Sequence, residues 1–88
     1  MTFLQTAGQR APAVGSAVRE GRLEELQQLV VRLGIRDAPD EVRSIAIGRN
    51  YLSIEQLLIS NNIGSGDITE GVNGAVKKGH IQVIAWLF

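Results

Sequence analysis

The chain has no cysteine among its 88 residues. That excludes a disulfide framework and any thiolate metal site, and it fits a reducing compartment. Neither sign of charge is in excess. Nine basic residues stand against nine acidic ones, which argues against a dedicated DNA or RNA binder, since such proteins carry a strong basic excess. A local basic face stays compatible with this balance. No apolar run approaches the ~20 residues of a membrane-spanning helix. Residues Met1 to Arg10 lack the basic head and long apolar core of a secretory signal. An intracellular, cytoplasmic location is therefore expected, although delivery by a specialised secretion machine would leave no such mark. The single histidine, His80, has no His, Cys or paired carboxylate at ligand spacing. No metal site, cofactor or acid–base pair is expected, and hence no enzyme confined to these residues.

What the chain does have is a period. Alanine recurs at positions 17, 46 and 75, a spacing of 29 residues each time. The surroundings repeat with it: Ala17-Val18-Arg19-Glu20-Gly21-Arg22-Leu23, Ala46-Ile47-Gly48-Arg49-Asn50-Tyr51-Leu52 and Ala75-Val76-Lys77-Lys78-Gly79-His80-Ile81. An apolar helix-like segment follows each, ending in Leu29-Val30, Leu58-Ile59 or Leu87-Phe88. A fixed period in this range marks a stack of supersecondary units. A globule of this size has a marginal core, and a linear stack suits it because each unit needs only its neighbours to bury an apolar face.

Helical spacing predicts two helices per unit. Ala11, Val14 and Val18 share a face, with Ala13 and Ala17 beside them, and Pro12 is expected in the first turn, where its missing N–H does no harm. Gly21 stops that helix in the left-handed conformation. Over residues 22–33, Leu23, Leu26, Leu29, Val30 and Leu33 form one stripe, with Gly34 as the stop. The second unit opens with Asp37-Ala38-Pro39-Asp40-Glu41, an N-terminal helix signature. It then places Val42, Ile45 and Ala46 on a face, turns at Asn50, and builds a helix with Leu52, Ile54, Leu57, Leu58 and Ile59. Residues 61–66 read as a loop. Gly64-Ser65-Gly66 lacks the following Lys and the preceding strand of a phosphate cradle. Asp67 with Glu70 resembles a capping box. The next helix carries Gly71 and Gly74, each weakening it by roughly 0.5–1 kcal/mol against alanine, which makes it the weakest of six. The last helix holds Ile81, Ile84, Trp86, Leu87 and Phe88.

The segment Ala75-Val76-Lys77-Lys78-Gly79-His80-Ile81 with Gln82-Val83-Ile84-Ala85-Trp86-Leu87 resembles the core of an ankyrin repeat: small residues, two variable positions, Gly-His, then an apolar helix ending in leucines. Ala17, Gly21, Leu23, Leu26 and Leu29 match it in the first unit, and Ala46, Asn50, Leu52, Ile54, Leu57 and Leu58 in the second. The family's Thr-Pro-Leu-His opening is absent from all three units, and the period of 29 is shorter than the usual ~33. Degenerate ankyrin-like is the matching description, with the projecting β-fingers reduced or missing; another helix-pair solenoid is the alternative.

The expected fold is all-α, a short solenoid of three stacked helix-turn-helix, ankyrin-like repeats. Residues 1–8 form a lead-in and residues 9–88 the repeat domain, with units of about 9–36, 37–65 and 66–88. The resemblance implies protein recognition, and it gives His80 a structural role at its turn. It also places the two residues before each turn on a concave binding surface. Here these are Arg19 and Glu20, Gly48 and Arg49, Lys77 and Lys78, a mildly basic strip suited to an acidic patch on another protein. The plain alternative is a solvated helix end, where cations suit the helix dipole. Short arrays of this kind occur in bacterial effectors and viral host-interacting proteins. Trp86 and Phe88 leave the last helix apolar where a terminal unit is ordinarily polar, which predicts either further repeats after Phe88 or self-association through that end. Two other functions compete: nucleic-acid binding through the same strip, recognisable by its steep salt dependence, and a spacer or targeting domain for a larger enzyme.

Overall fold

Six α-helices and one π-helical segment follow one another along the chain in a computed structural model that describes residues 7–64 and 66–88. They are α1 (Ala7–Arg19), α2 (Leu23–Gln27) continued by a π-helix (Gln28–Arg32), α3 (Val42–Gly48), α4 (Leu52–Ser60), α5 (Thr69–Lys78) and α6 (Ile81–Leu87). Among the described residues there is no strand, so the fold is all-helical. Residues 1–6 of the expected lead-in, and Ser65 of the Gly64–Gly66 loop, lie outside the described residues. Helices pair in sequence, α1 with α2, α3 with α4 and α5 with α6, and the first helices also pack on one another, α1 against α3 and α3 against α5. The result is 43 Å long and 20 by 19 Å across.

The 29-residue period is reproduced atom by atom at the turns. Gly21, Asn50 and Gly79 have φ of 69°, 62° and 72°. After each, the next amide reaches back to the repeated alanine: Arg22 to the Ala17 carbonyl at 2.9 Å, Tyr51 to Ala46 at 2.8 Å, and His80 to Ala75 at 2.9 Å. The turn residue itself donates to Val18, Ile47 or Val76. This bond pair is the Schellman motif, which satisfies carbonyls left open at a helix end. The residues that open the second helices, Arg22, Tyr51 and His80, share φ near −90° to −78° and ψ of 82°, 73° and 76°.

Burial follows the predicted faces in the first two units. Val14, Ala17, Val18, Leu26, Leu29, Val30, Val42, Ala46, Ile54 and Leu58 form the larger core cluster with Ile35 and Ile63. Each large side chain removed from water here contributes about 1.5–3 kcal/mol. A smaller cluster holds Ile47, Ala75 and Val83, flanked by Leu52, Ile68, Val72, Ile84 and Leu87.

Several local expectations are corrected. The first helix begins at Ala7, so Pro12 stands inside it, in the second turn. Asp37 to Glu41 precede α3 rather than forming its first turn, and Glu41 makes no side-chain cap. Asp67 forms a tight Asx turn: its Oδ1 accepts from the Thr69 amide at 2.9 Å and the Thr69 hydroxyl at 2.5 Å. These bonds hold its carboxyl below the usual range. Leu33 and Ile59 are exposed rather than in the apolar stripe. Ile35 takes the place that was expected of Leu33.

The displacement of Leu33 has a single cause. In the first unit the helix widens to the π form, with the Leu33 amide bonding to the Gln28 carbonyl five residues back. Ile35 bonds to Leu29, six back, whereas its counterpart Ile63 bonds to Leu58, five back. Ile35 thus stands eighteen residues after Ala17, but Ile63 seventeen after Ala46. One extra residue is accommodated as a π-bulge. The Val30 carbonyl accepts instead from the Arg36 guanidinium at 2.9 Å.

Candidate functional site

Two glycines of α5 decide how the first helices sit together. A Cβ at Gly71 would collide with the carbonyl oxygen and hydroxyl of Ser44. Only glycine lets α5 lie this close to α3, so the residue that weakens the helix in isolation is what its packing requires. Gly74, one turn on, is different: a Cβ there would meet nothing within 4 Å.

Between α3 and α5 lies an open groove of about 370 Å³. Glu41, Ile45 and Arg49 line it from the α3 side at i, i+4 and i+8. Glu70, Gly74 and Lys78 line it from α5 at the same spacing, and Ser44, Gly48 and Gly71 complete it. The two triplets occupy equivalent positions 29 residues apart. Each puts an acid near the start of its helix and a base at the end, as the helix dipole favours.

The structure divides the predicted strip. Arg49 and Lys78 line the groove; Arg19, Glu20 and Lys77 do not, though all five are exposed. Arg49 is anchored, its guanidinium donating to the Arg19 carbonyl at 2.5 Å and so linking the ends of the first two units. Glu20 is engaged locally, 2.6 Å from the Arg22 guanidinium and accepting from the Ser16 hydroxyl at 3.2 Å. Exposed pairs of this kind contribute about 0–1 kcal/mol. Sequence reasoning passed over Glu41, Glu70 and Gly74, although Glu41 and Glu70 repeat at the same 29-residue spacing as Arg49 and Lys78.

His80 is half-buried at the turn into α6, its amide bonded to Ala75. Among the described residues no cluster of three or more His, Cys, Asp or Glu side chains could hold a metal, and no helix is long and apolar enough to cross a membrane. Trp86 is 39% and Phe88 86% exposed.

One ion pair was not foreseen. Glu55 of α4 is fully buried, and its Oε2 accepts from Arg43 Nε at 2.9 Å and Nη2 at 2.7 Å. Its Oε1 is buried with no partner. Burial pushes the Glu55 carboxyl above its ordinary value, and the hydrogen bonds and charge of Arg43 only partly oppose this.

No family model matches this chain, and neither a curated protein nor a solved structure does.

Proposed function

We propose that the chain is a non-catalytic protein-recognition module made of three stacked, ankyrin-like helix pairs, with the groove between α3 and α5 as its binding surface. Its partner carries carboxylates that meet Arg49 and Lys78. Electrostatic matching of this kind raises association rate and selectivity more than raw affinity.

Gly74 is the observation that carries the proposal. Helix dipoles account for the charges along the groove, and close packing accounts for Gly71. Neither accounts for a glycine in mid-helix whose missing side chain leaves open space on the groove wall. A residue that weakens its helix and is not needed for packing fits a surface kept clear for something else.

The test separates stability from binding. Gly74→Gln should stabilise α5 by roughly 0.5 kcal/mol, seen as a raised melting temperature, while filling the groove. Affinity capture from a lysate would compare wild type, Gly74→Gln, Lys78→Glu and the control Lys77→Glu, all first checked for equal helicity by circular dichroism. A protein held by wild type and Lys77→Glu but lost by the other two supports the proposal. Identical capture by all four, or none, makes the groove an ordinary solvated surface.

A further inference from the structure

The face of α5 and α6 that points away from α3 and α4 repeats, position for position, a surface that the chain itself covers elsewhere. Val18, Ile47 and Val76 are equivalent residues at the ends of the three first helices. The first two are fully buried; Val76 is 59% exposed. Leu23, Leu52 and Ile81 are equivalent at the starts of the second helices. The first two are half-buried, while Ile81 is 75% exposed. Ile47 and Leu52 are covered because they join the cluster formed by Ala75, Val83, Ile68 and Val72 of α5, α6 and the loop before them. Val76 and Ile81 present the same pair with nothing on it. Phe88 does not belong to this set, since its counterpart Ile59 is also exposed.

The opposite face of the stack is built otherwise. The residues that dock a unit on its predecessor are Ile68 and Val83 in the third unit, with Pro39 and Ile54 as their counterparts in the second. In the first unit the same positions hold Arg10 and Glu25. Glu25 is exposed and 3.3 Å from Arg22, and Arg10 lies 3.7 Å from Asp37. Seating a second copy head to tail would press these charges against Val76 and Ile81, with a desolvation cost and no matching partner.

We infer that the exposed face of α5 and α6 is a docking surface for one further helix pair of this chain's own repeat type, seated as α5 and α6 are seated on α3 and α4. The occupant presents a small residue where Ala75 stands and branched apolar residues where Ile68, Val72 and Val83 stand. It continues an interface the molecule already makes. It uses a face separate from the groove, and its success or failure is independent of that proposal.

The experiment supplies such a pair. A second copy of the sequence of residues 60–88 is appended after Phe88, with its own tryptophan changed to phenylalanine so that Trp86 is the only reporter. The helical circular dichroism should rise in proportion to the added length. The melting temperature should rise by at least about 4 °C, and Trp86 emission should become less accessible to acrylamide. Val76→Lys/Ile81→Lys should abolish these gains in the extended chain, yet leave the 88-residue chain's melting unchanged because both side chains are exposed there. An appended segment without helix or melting gain overturns the inference, and so does a gain that survives the double lysine variant. A sedimentation mass of two for the 88-residue chain, reverting to one in that variant, also overturns it and assigns the face to a second copy.

Discussion

Val14 and Leu26 in the first helix pair, and Arg43 and Glu55 in the second, occupy the same two places in the repeat, 29 residues apart. In the first unit the two are fully buried members of an apolar cluster. In the second they are an ion pair with one end fully buried and the other 19% exposed. The third unit returns to Val72 and Ile84, both packed in the smaller cluster. One backbone site thus accepts two solutions. The apolar one draws on the hydrophobic effect directly. The ionic one must offset the desolvation of two charges, and here only one carboxylate oxygen is satisfied. A buried ion pair is weak support for stability in general, and the middle unit is held together by its other apolar contacts.

Breaking the pair on one side should have the largest effect. Arg43→Val leaves a buried carboxylate without its cation and should lower unfolding free energy at neutral pH by about 3–5 kcal/mol, measured by urea denaturation. Removing the difference between the units should do the opposite. Arg43→Val/Glu55→Leu installs the first unit's own residues, and should leave the protein as stable as wild type or up to about 4 kcal/mol more stable. A double variant as weak as the single one would mean that the pair holds α3 and α4 in a geometry that apolar residues cannot reproduce. The smallest effect is on pH dependence. Because the folded Glu55 carboxyl lies above its ordinary value of 4.5, the folded state binds a proton more tightly than the unfolded chain does. The associated stability is fully present below that ordinary value and is lost as pH rises through the higher folded one. Urea midpoints of wild type should therefore fall over this window relative to the double variant, and parallel curves would refute the assignment.

The turns were legible because glycine and asparagine tolerate positive φ where few residues do, so Gly21, Asn50 and Gly79 announced themselves by type and spacing. The all-helical class was legible from apolar periodicity. Leu33 was misplaced because periodicity assumes about 3.6 residues per turn, and the π segment breaks that count just before it. Arg43 and Glu55 were taken as surface because charge ordinarily means exposure; aligning them under Val14 and Leu26 would have exposed the exception. Gly71 read as a helix defect because its reason, the carbonyl of Ser44, lies on another helix. Of the groove, Arg49 and Lys78 were legible from their place before the turns. Glu41 and Glu70 were masked by their resemblance to ordinary helix-start acids.

The π segment also means that equal spacing in sequence hides unequal units. The first second-helix is one residue longer than its successor, and the connection after it one residue shorter, so that Ala46 still falls in step. Length is traded between helix and linker inside a fixed total. A chimera that exchanged whole units at Gly21 and Asn50 would keep its phase. One cut between Arg32 and Val42 would join pieces a residue out of step and turn every following apolar side chain by about 100°.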